Sequence, residues 1–324
     1  MLRRKRIGCK MSLLRKILVA LRGKRKYHYN DNVVSHSNLD VQQLIKEYLN
    51  GDKPCMIARF GSVELQSVVD YLYPAKSRNI LPFIKGMIPS FGYGPSTRRT
   101  MHINAGFFPP TDDMLNRFGT LMLDSMKNVD ILGSWRQEEE VVLSKMPNVI
   151  RVPLPDLEPY YFDTPWMTAL EGKKVLVIHP FEDTIRKQYM RLDKLFANKQ
   201  MTPRYELLTI KAVQSIAGQK PEGYNDWFEA LDWMKREIDK KDFDIAIIGC
   251  GAYGFPLAAY VKQIGKKVIH LGGAVQYLFG IRSSAGENTI KLPGLMNKYW
   301  VYPSQEETPK GIEMVEDSRY WKKK

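Results

Sequence analysis

The stretch DIAIIGCGAYGFPLAAYVKQIGKKVIHLGG, from Asp244 to Gly273, limits the fold more than any other. An apolar run ends in Gly249-x-Gly251-x-x-Gly254, a helical pattern covers 256–264, and a second apolar run, KKVIHLG, follows. Strand, glycine turn, helix and strand in so short a span predict a βαβ unit, whose two strands lie parallel in one sheet. The glycine spacing is that of a dinucleotide-binding turn. Gly249 and Gly251 would let the backbone approach a phosphate, and the following helix would offer free N–H groups and partial positive charge. A nicotinamide site adds an acid roughly 20 residues on, to bind the ribose. Here the second strand ends Leu271-Gly272-Gly273, with no acid. The turn suits another phosphate ligand, or a purely structural strand–helix junction.

The remaining chain alternates strand and helix signals. Asn38 or Asp40 can cap a helix ending near Asn50-Gly51. PCMIARF (54–60) reads as a strand and GSVELQSVVDYL as the helix after it. Residues 81–110, rich in Gly, Pro and aromatics, read as a long ordered loop. Thr111 or Asp112 starts a helix toward Lys127, and VDILGSW is a strand. Pro153, Pro155, Pro159 and Pro165 mark a connector over 151–172 where two lobes could meet. KKVLVIHP (173–180) is a strand, Asp183 opens a helix to about Phe196, and 227–238 is helical. The pattern predicts an α/β fold, a mainly parallel sheet with helices on both faces. Ligands of such sheets bind beyond the carboxyl ends of the strands. Those ends carry Arg59-Phe60-Gly61-Ser62, Gly133-Ser134-Trp135, His179-Pro180, the 249–254 turn and Gly272-Gly273.

Charge is distributed unevenly. The net charge is +14, yet residues 1–26 hold eleven Lys or Arg and no acid, and the last three residues are Lys. Residues 27–321 are therefore formally neutral. A nucleic-acid enzyme carries basic charge on its folded surface, so no nucleic-acid partner is expected. Within the basic tail, 1–30, Leu14, Ile17, Leu18 and Leu21 fall on one helical face between basic residues. That pattern suits an interfacial helix on an anionic membrane, with a docked or irregular basic arm as the alternative. Three cysteines without a CxxC pair suit a reducing compartment. The expected location is cytoplasmic, peripheral on the inner face of the membrane.

The run IIGCGAYGFPLAAYVKQIGKKVIHLGGAVQYLFGI, with VLVIHPFEDTIRKQY, LTIKAVQSIAG, NKYWVYPSQEETP and IARFGSVE, resembles bacterial GT-D-fold glycosyltransferases and their capsule and surface-polysaccharide relatives. The resemblance covers roughly residues 38–321. It implies a Rossmann-like catalytic domain over 38–290, with 291–324 as a C-terminal tail folding back on it. It also implies a nucleotide-sugar donor, a glycan or lipid-linked acceptor, and often a divalent metal such as Mn²⁺ or Mg²⁺. Characterised members carry an Asp-x-Glu motif in an Arg-x-Gly-Asp-Gly-Glu-like segment. Here the segment is Arg59-Phe60-Gly61-Ser62-Val63-Glu64. Glu64 is kept as the expected metal ligand, and Ser62 replaces the aspartate, removing one hard carboxylate.

Each expected site residue has a plainer alternative. Glu64 can favour a helix N-terminus, Ser62 can be its N-cap, and Arg59 can form a structural ion pair. His179 is either a hydrogen-bonded core histidine or a donor-site group. Asp183 can cap a helix, leaving Glu182 as the free carboxylate, or the two exchange roles. Gln276 can read a base or sugar hydroxyl or hold the next helix, and Tyr253 more often packs than stacks on a ligand. Glu64, Glu182 and Asp183 are the expected proton acceptors. Arg59, Gly61, the 249–254 turn, Gly272 and Gly273 are expected around the diphosphate. Alternatives to an enzyme of this type are a non-catalytic nucleotide-binding scaffold and a nucleotide-dependent oxidoreductase.

Overall fold

The computed structural model describes residues 40–75, 79–289 and 292–323. The basic membrane-contact segment expected over 1–26 lies outside the described residues. Among the described residues, seven strands form one parallel sheet: β1 (Met56–Ala58), β2 (Ile131–Ser134), β3 (Ile150–Pro153), β4 (Lys174–His179), β5 (Glu206–Lys211), β6 (Ile245–Ile248) and β7 (Lys267–His270), in the order β3-β2-β1-β7-β6-β4-β5. The central strands are near-continuous apolar runs because both of their faces are covered.

The main helices are α1 (Val41–Asn50), α2 (Ser62–Leu72), α3 (Pro95–Ile103), α4 (Asp112–Met126), α5 (Glu182–Tyr189), α6 (Trp227–Asp239), α7 (Gly254–Gln263) and the short α8 (Val275–Leu278). Strand alternation divides the core into two layers. Met56 and Ala58 pack with α2, α4, α6 and α7, whereas Ile57 packs with α1, α5 and α8. The second layer also contains the 3₁₀ turns over 154–170 and the C-terminal segment, with Trp166, Trp300 and Trp321 buried there.

Two expected caps form: Asp40 accepts the Gln43 amide at 3.1 Å and Thr111 the Met114 amide at 3.4 Å. Asp226, not singled out from sequence, caps α6 by accepting the Phe228 amide at 2.8 Å. Other expectations need correction. The 81–110 loop contains α3, which Asp70 anchors through the Thr97 hydroxyl. Residues 151–153 of the expected connector belong to β3, an edge strand of the sheet that also holds β4. Helix α5 ends at Tyr189, well short of Phe196, and Asp183 is not its cap. Ser62 is the first residue of α2, and Gly61 occupies the cap position.

β1 and β7 are neighbours, but the chain leaves β1 toward β2 and reaches β7 from β6. This reversal opens a crevice at their carboxyl ends. Segment 299–321 returns across it. The Arg282 amide donates to the Val301 carbonyl at 2.7 Å and the Ser284 amide to the Trp321 carbonyl at 2.9 Å. Trp321 then packs edge-on to Phe181, which follows β4.

Candidate functional site

A cavity of about 460 Å³ opens at the carboxyl edge, bounded by the turns after β1, β2, β4, β6 and β7 and by residues 316–321. Arg59, Gly61, Ser62 and Glu64 line it from β1 and the start of α2. His179 lines it from β4, Gly249, Gly251 and Tyr253 from the β6 turn, and Gly272, Gly273 and Gln276 from the β7 turn. Parallel strands with short turns bring these distant segments to one edge.

Arg59 is the cation that β1 brings to the cavity. Its guanidinium carbon lies 4.9 Å from the centroid of the Trp135 ring, and its side chain passes over Gly272. No carboxylate among the described residues comes within ion-pair distance of it. Burial lowers its pKa, while the fields of Tyr320, Glu64 and Glu158 oppose that effect. Glu64 sits at the third position of α2 and curls back over Gly61; a Cβ on Gly61 would lie 1.9 Å from its Oε2. Burial raises its pKa, against the lowering effects of its own amide and of Arg59. Glu64 thus faces the cavity, yet protein surrounds it closely enough to disfavour its charge.

Two neutral histidines form the floor. His179 Nδ1 accepts the Phe181 amide at 3.0 Å, so in the neutral ring Nε2 carries the proton. Burial pushes its pKa down to about 3. His270, at the end of β7, is pushed to about 3 by burial and by the charge of Arg59. Its Nδ1 is buried without a hydrogen-bond partner among the described residues.

The glycine turn has internal reasons for its glycines. A Cβ on Gly249 would lie 2.4 Å from the Gly272 carbonyl oxygen, and one on Gly254 would lie 2.3 Å from His270 Nε2. Gly251 adopts a positive φ of 56°. Gly254 therefore seats α7 on the imidazole and is not among the cavity-lining residues. Tyr253 stacks on Trp227 with centroids 4.8 Å apart and meets the Ser215 hydroxyl at 3.0 Å. The side-chain amide of Gln276 donates to the carbonyls of Ile281 and Arg282, so it holds the segment after α8.

Two expected carboxylates stand elsewhere. Glu182 accepts the Thr209 hydroxyl of β5, and Asp183 pairs with Lys211 at 3.1 Å on an exposed surface. Neither lines the cavity. The free amides of Asp183 and Thr184 are capped by Glu307, at 2.8 and 3.2 Å, with the Thr184 hydroxyl as a third donor. Glu307 is thus a buried cap rather than a solvated acid.

Sequence reasoning did not reach Arg136, His270, the 213–216 segment, or Glu316, Arg319 and Tyr320, all of which line the cavity. Arg136 and His270 were within reach of the strand-end rule, one residue beyond Trp135 and two before Gly272. The other residues arrive from loops whose positions depend on tertiary packing. Residues Glu316, Asp317 and Ser318 all take positive φ, a rare conformation that turns the chain into the cavity. No three His, Cys, Asp or Glu side chains converge to hold a metal among the described residues. Glu64 and Glu316 lie beside Arg59 and Arg319, so the residues present do not by themselves form a divalent-cation site. Comparison with family models, curated proteins and solved structures finds no match.

Proposed function

We propose that this chain is a glycosyltransferase that moves a sugar from a nucleotide-sugar donor to a cell-surface glycan or lipid-linked acceptor. One observation carries the reading: an enclosed Arg59, without a carboxylate partner among the described residues, stands beside Glu64 at the switch point of a parallel sheet. A guanidinium so placed is suited to an anionic ligand. Glycosyl transfer needs charge stabilisation on the departing diphosphate, which Arg59 would supply. It also needs a group to accept the acceptor's hydroxyl proton. Glu64 fills that role best, because burial raises its proton affinity and it lies in the same cavity. His179 would donate through Nε2–H to the ligand; its low pKa makes it a poor base near neutrality.

No described helix is long and apolar enough to cross a membrane. We place the protein on the cytoplasmic face of the membrane through residues 1–26, on the charge pattern of the sequence alone. Deleting that segment should weaken binding to anionic vesicles at low salt; equal binding by the shortened chain would remove the membrane contact.

Turnover of nucleotide sugars by the full chain, with and without Mn²⁺, tests the activity and the use of a cation. Glu64→Gln should lower transfer by orders of magnitude without lowering the melting temperature. Unchanged transfer by a folded Glu64→Gln protein would reduce Glu64 to a helix-start residue. A second reading, a non-catalytic nucleotide-binding scaffold, draws on the contact of the Glu64 carboxylate with its own helix amide. Tight nucleotide-sugar binding without turnover would select it.

A further inference from the structure

Beyond Arg59, the β2 turn brings a second guanidinium to the cavity wall. Trp135 follows β2, and its indole N–H donates to the Phe60 carbonyl at 3.0 Å. The Arg59 guanidinium carbon lies 4.9 Å from the indole centroid and that of Arg136 lies 5.3 Å from it. One ring therefore bounds the separation of the two cations. Arg136 pairs with Glu138 at 3.0 Å through one terminal nitrogen, but its Nε is buried without a hydrogen-bond partner among the described residues. A buried donor left unsatisfied is costly unless a ligand meets it.

The turn that carries these groups is held from beneath. Glu139 is fully buried and accepts the Trp135 and Arg136 amides, each at 3.1 Å, as well as the Ser134 hydroxyl. Arg151 of β3 balances its charge at 3.8 Å. The wall is therefore anchored independently of any ligand, and its two guanidiniums flank one indole. A single phosphate could satisfy one fork. Two forks on one aromatic platform match an anion with two phosphate groups.

We infer that Arg59, Trp135 and Arg136 form a diphosphate-selective subsite, so the ligand group bound there is a diphosphate rather than a monophosphate or a neutral sugar. This rests on the transferase reading only for the role of the diphosphate, not for its binding. Two sources share the chemistry: the diphosphate of a nucleotide sugar, and that of a lipid-linked acceptor.

Calorimetric titration of the full chain with inorganic pyrophosphate and with inorganic phosphate tests the subsite. Pyrophosphate should bind at least ~10-fold tighter than phosphate, about 1.4 kcal/mol. Arg136→Gln should remove most of that preference while leaving phosphate binding nearly unchanged, and Arg136→Lys, which keeps charge but not the fork, should fall between. Circular dichroism establishes that each variant is folded, and Arg186→Gln, an exposed side chain of α5 outside the cavity, serves as the unaffected control. Uridine diphosphate and a short prenyl diphosphate then separate the two sources, and tighter binding of either relative to its monophosphate supports the subsite. Pyrophosphate selectivity without nucleotide-sugar turnover would leave the subsite standing and end the transferase reading. Equal binding of phosphate and pyrophosphate, or full pyrophosphate selectivity in folded Arg136→Gln, would overturn the subsite whatever the enzyme's activity.

Discussion

The turns after β6 and β1 flank β7 and face the same cavity, but they differ in what the protein leaves unsatisfied. The β6 turn has the spacing of a nucleotide motif, yet tight contact with the Gly272 carbonyl accounts for Gly249, and tight contact with the His270 imidazole accounts for Gly254. The β1 turn has no familiar spacing once Ser62 stands where an aspartate is expected. It nevertheless holds Arg59, without an ion-pair partner among the described residues, and Glu64, whose charge burial disfavours. Groups whose needs are met inside the protein report on folding. Groups whose needs are not met report on a ligand.

The sharpest way to break this contrast is Arg59→Gln. Nucleotide-sugar kcat/KM should fall by roughly 100- to 1000-fold, ~3–4 kcal/mol of transition-state stabilisation. The melting temperature should hold or rise, because a buried guanidinium without a carboxylate partner costs desolvation. A large fall in stability with unchanged kinetics would make Arg59 a folding residue and erase the difference between the turns.

Acid should expose the cavity floor next. His179 and His270 are neutral in the fold with pKa near 3, below the ordinary 6.5. Their contribution is fully present above 6.5 and is lost as pH falls toward 3, since the unfolded chain takes up protons first. Each can cost up to about 1.4 kcal/mol per pH unit in that window. The double variant His179→Asn, His270→Gln replaces the ring nitrogens with uncharged amide groups. Its melting temperature should depend less on pH between 7 and 5 than that of the natural chain. An equally steep pH dependence in both proteins would place the acid sensitivity elsewhere.

Gly249→Ala tests the packing side of the comparison. Its new Cβ would meet backbone that cannot rotate away, at a cost of ~2–3 kcal/mol. Gly172→Ala is the reference: its φ is 69° with open space around it, so only the left-handed conformation is penalised, by ~1 kcal/mol. Equal losses in chemical denaturation would show that the close approach of the β6 and β7 turns is not tight in solution.

The smallest expected effect is at α5. Glu307→Ala removes the acceptor for two helix amides and should cost ~1–2 kcal/mol, with donor binding nearly unchanged. A loss of donor binding equal to that of Arg59→Gln would instead make the returning segment part of the ligand site.

The sheet's interior was legible because strands covered on both faces must be apolar throughout. β1, β2, β4, β6 and β7 all read as strands from sequence. The two unread strands, β3 and β5, are the sheet's edges, where half-buried and exposed positions break up the apolar run. Helix caps followed the same division. Asp40 and Thr111 cap their own helices through residues three positions on, so local sequence could predict them. The cap of α5 comes from Glu307, 124 residues beyond the Asp183 amide it meets, and no local pattern encodes that distance.

What the sequence determined by itself was therefore the local and the periodic: the βαβ unit, the parallel sheet, and the strand ends where a ligand would lie. Tertiary structure decided which strand-end groups remain available to that ligand. It turned Glu182 and Asp183 toward β5 and solvent, tied Gln276 to backbone carbonyls, and brought Arg59 and Arg136 to one indole. The physical reason is that backbone periodicity is written in near neighbours. Whether a charge is paired, buried or free depends on groups that only the completed fold brings within a few ångströms.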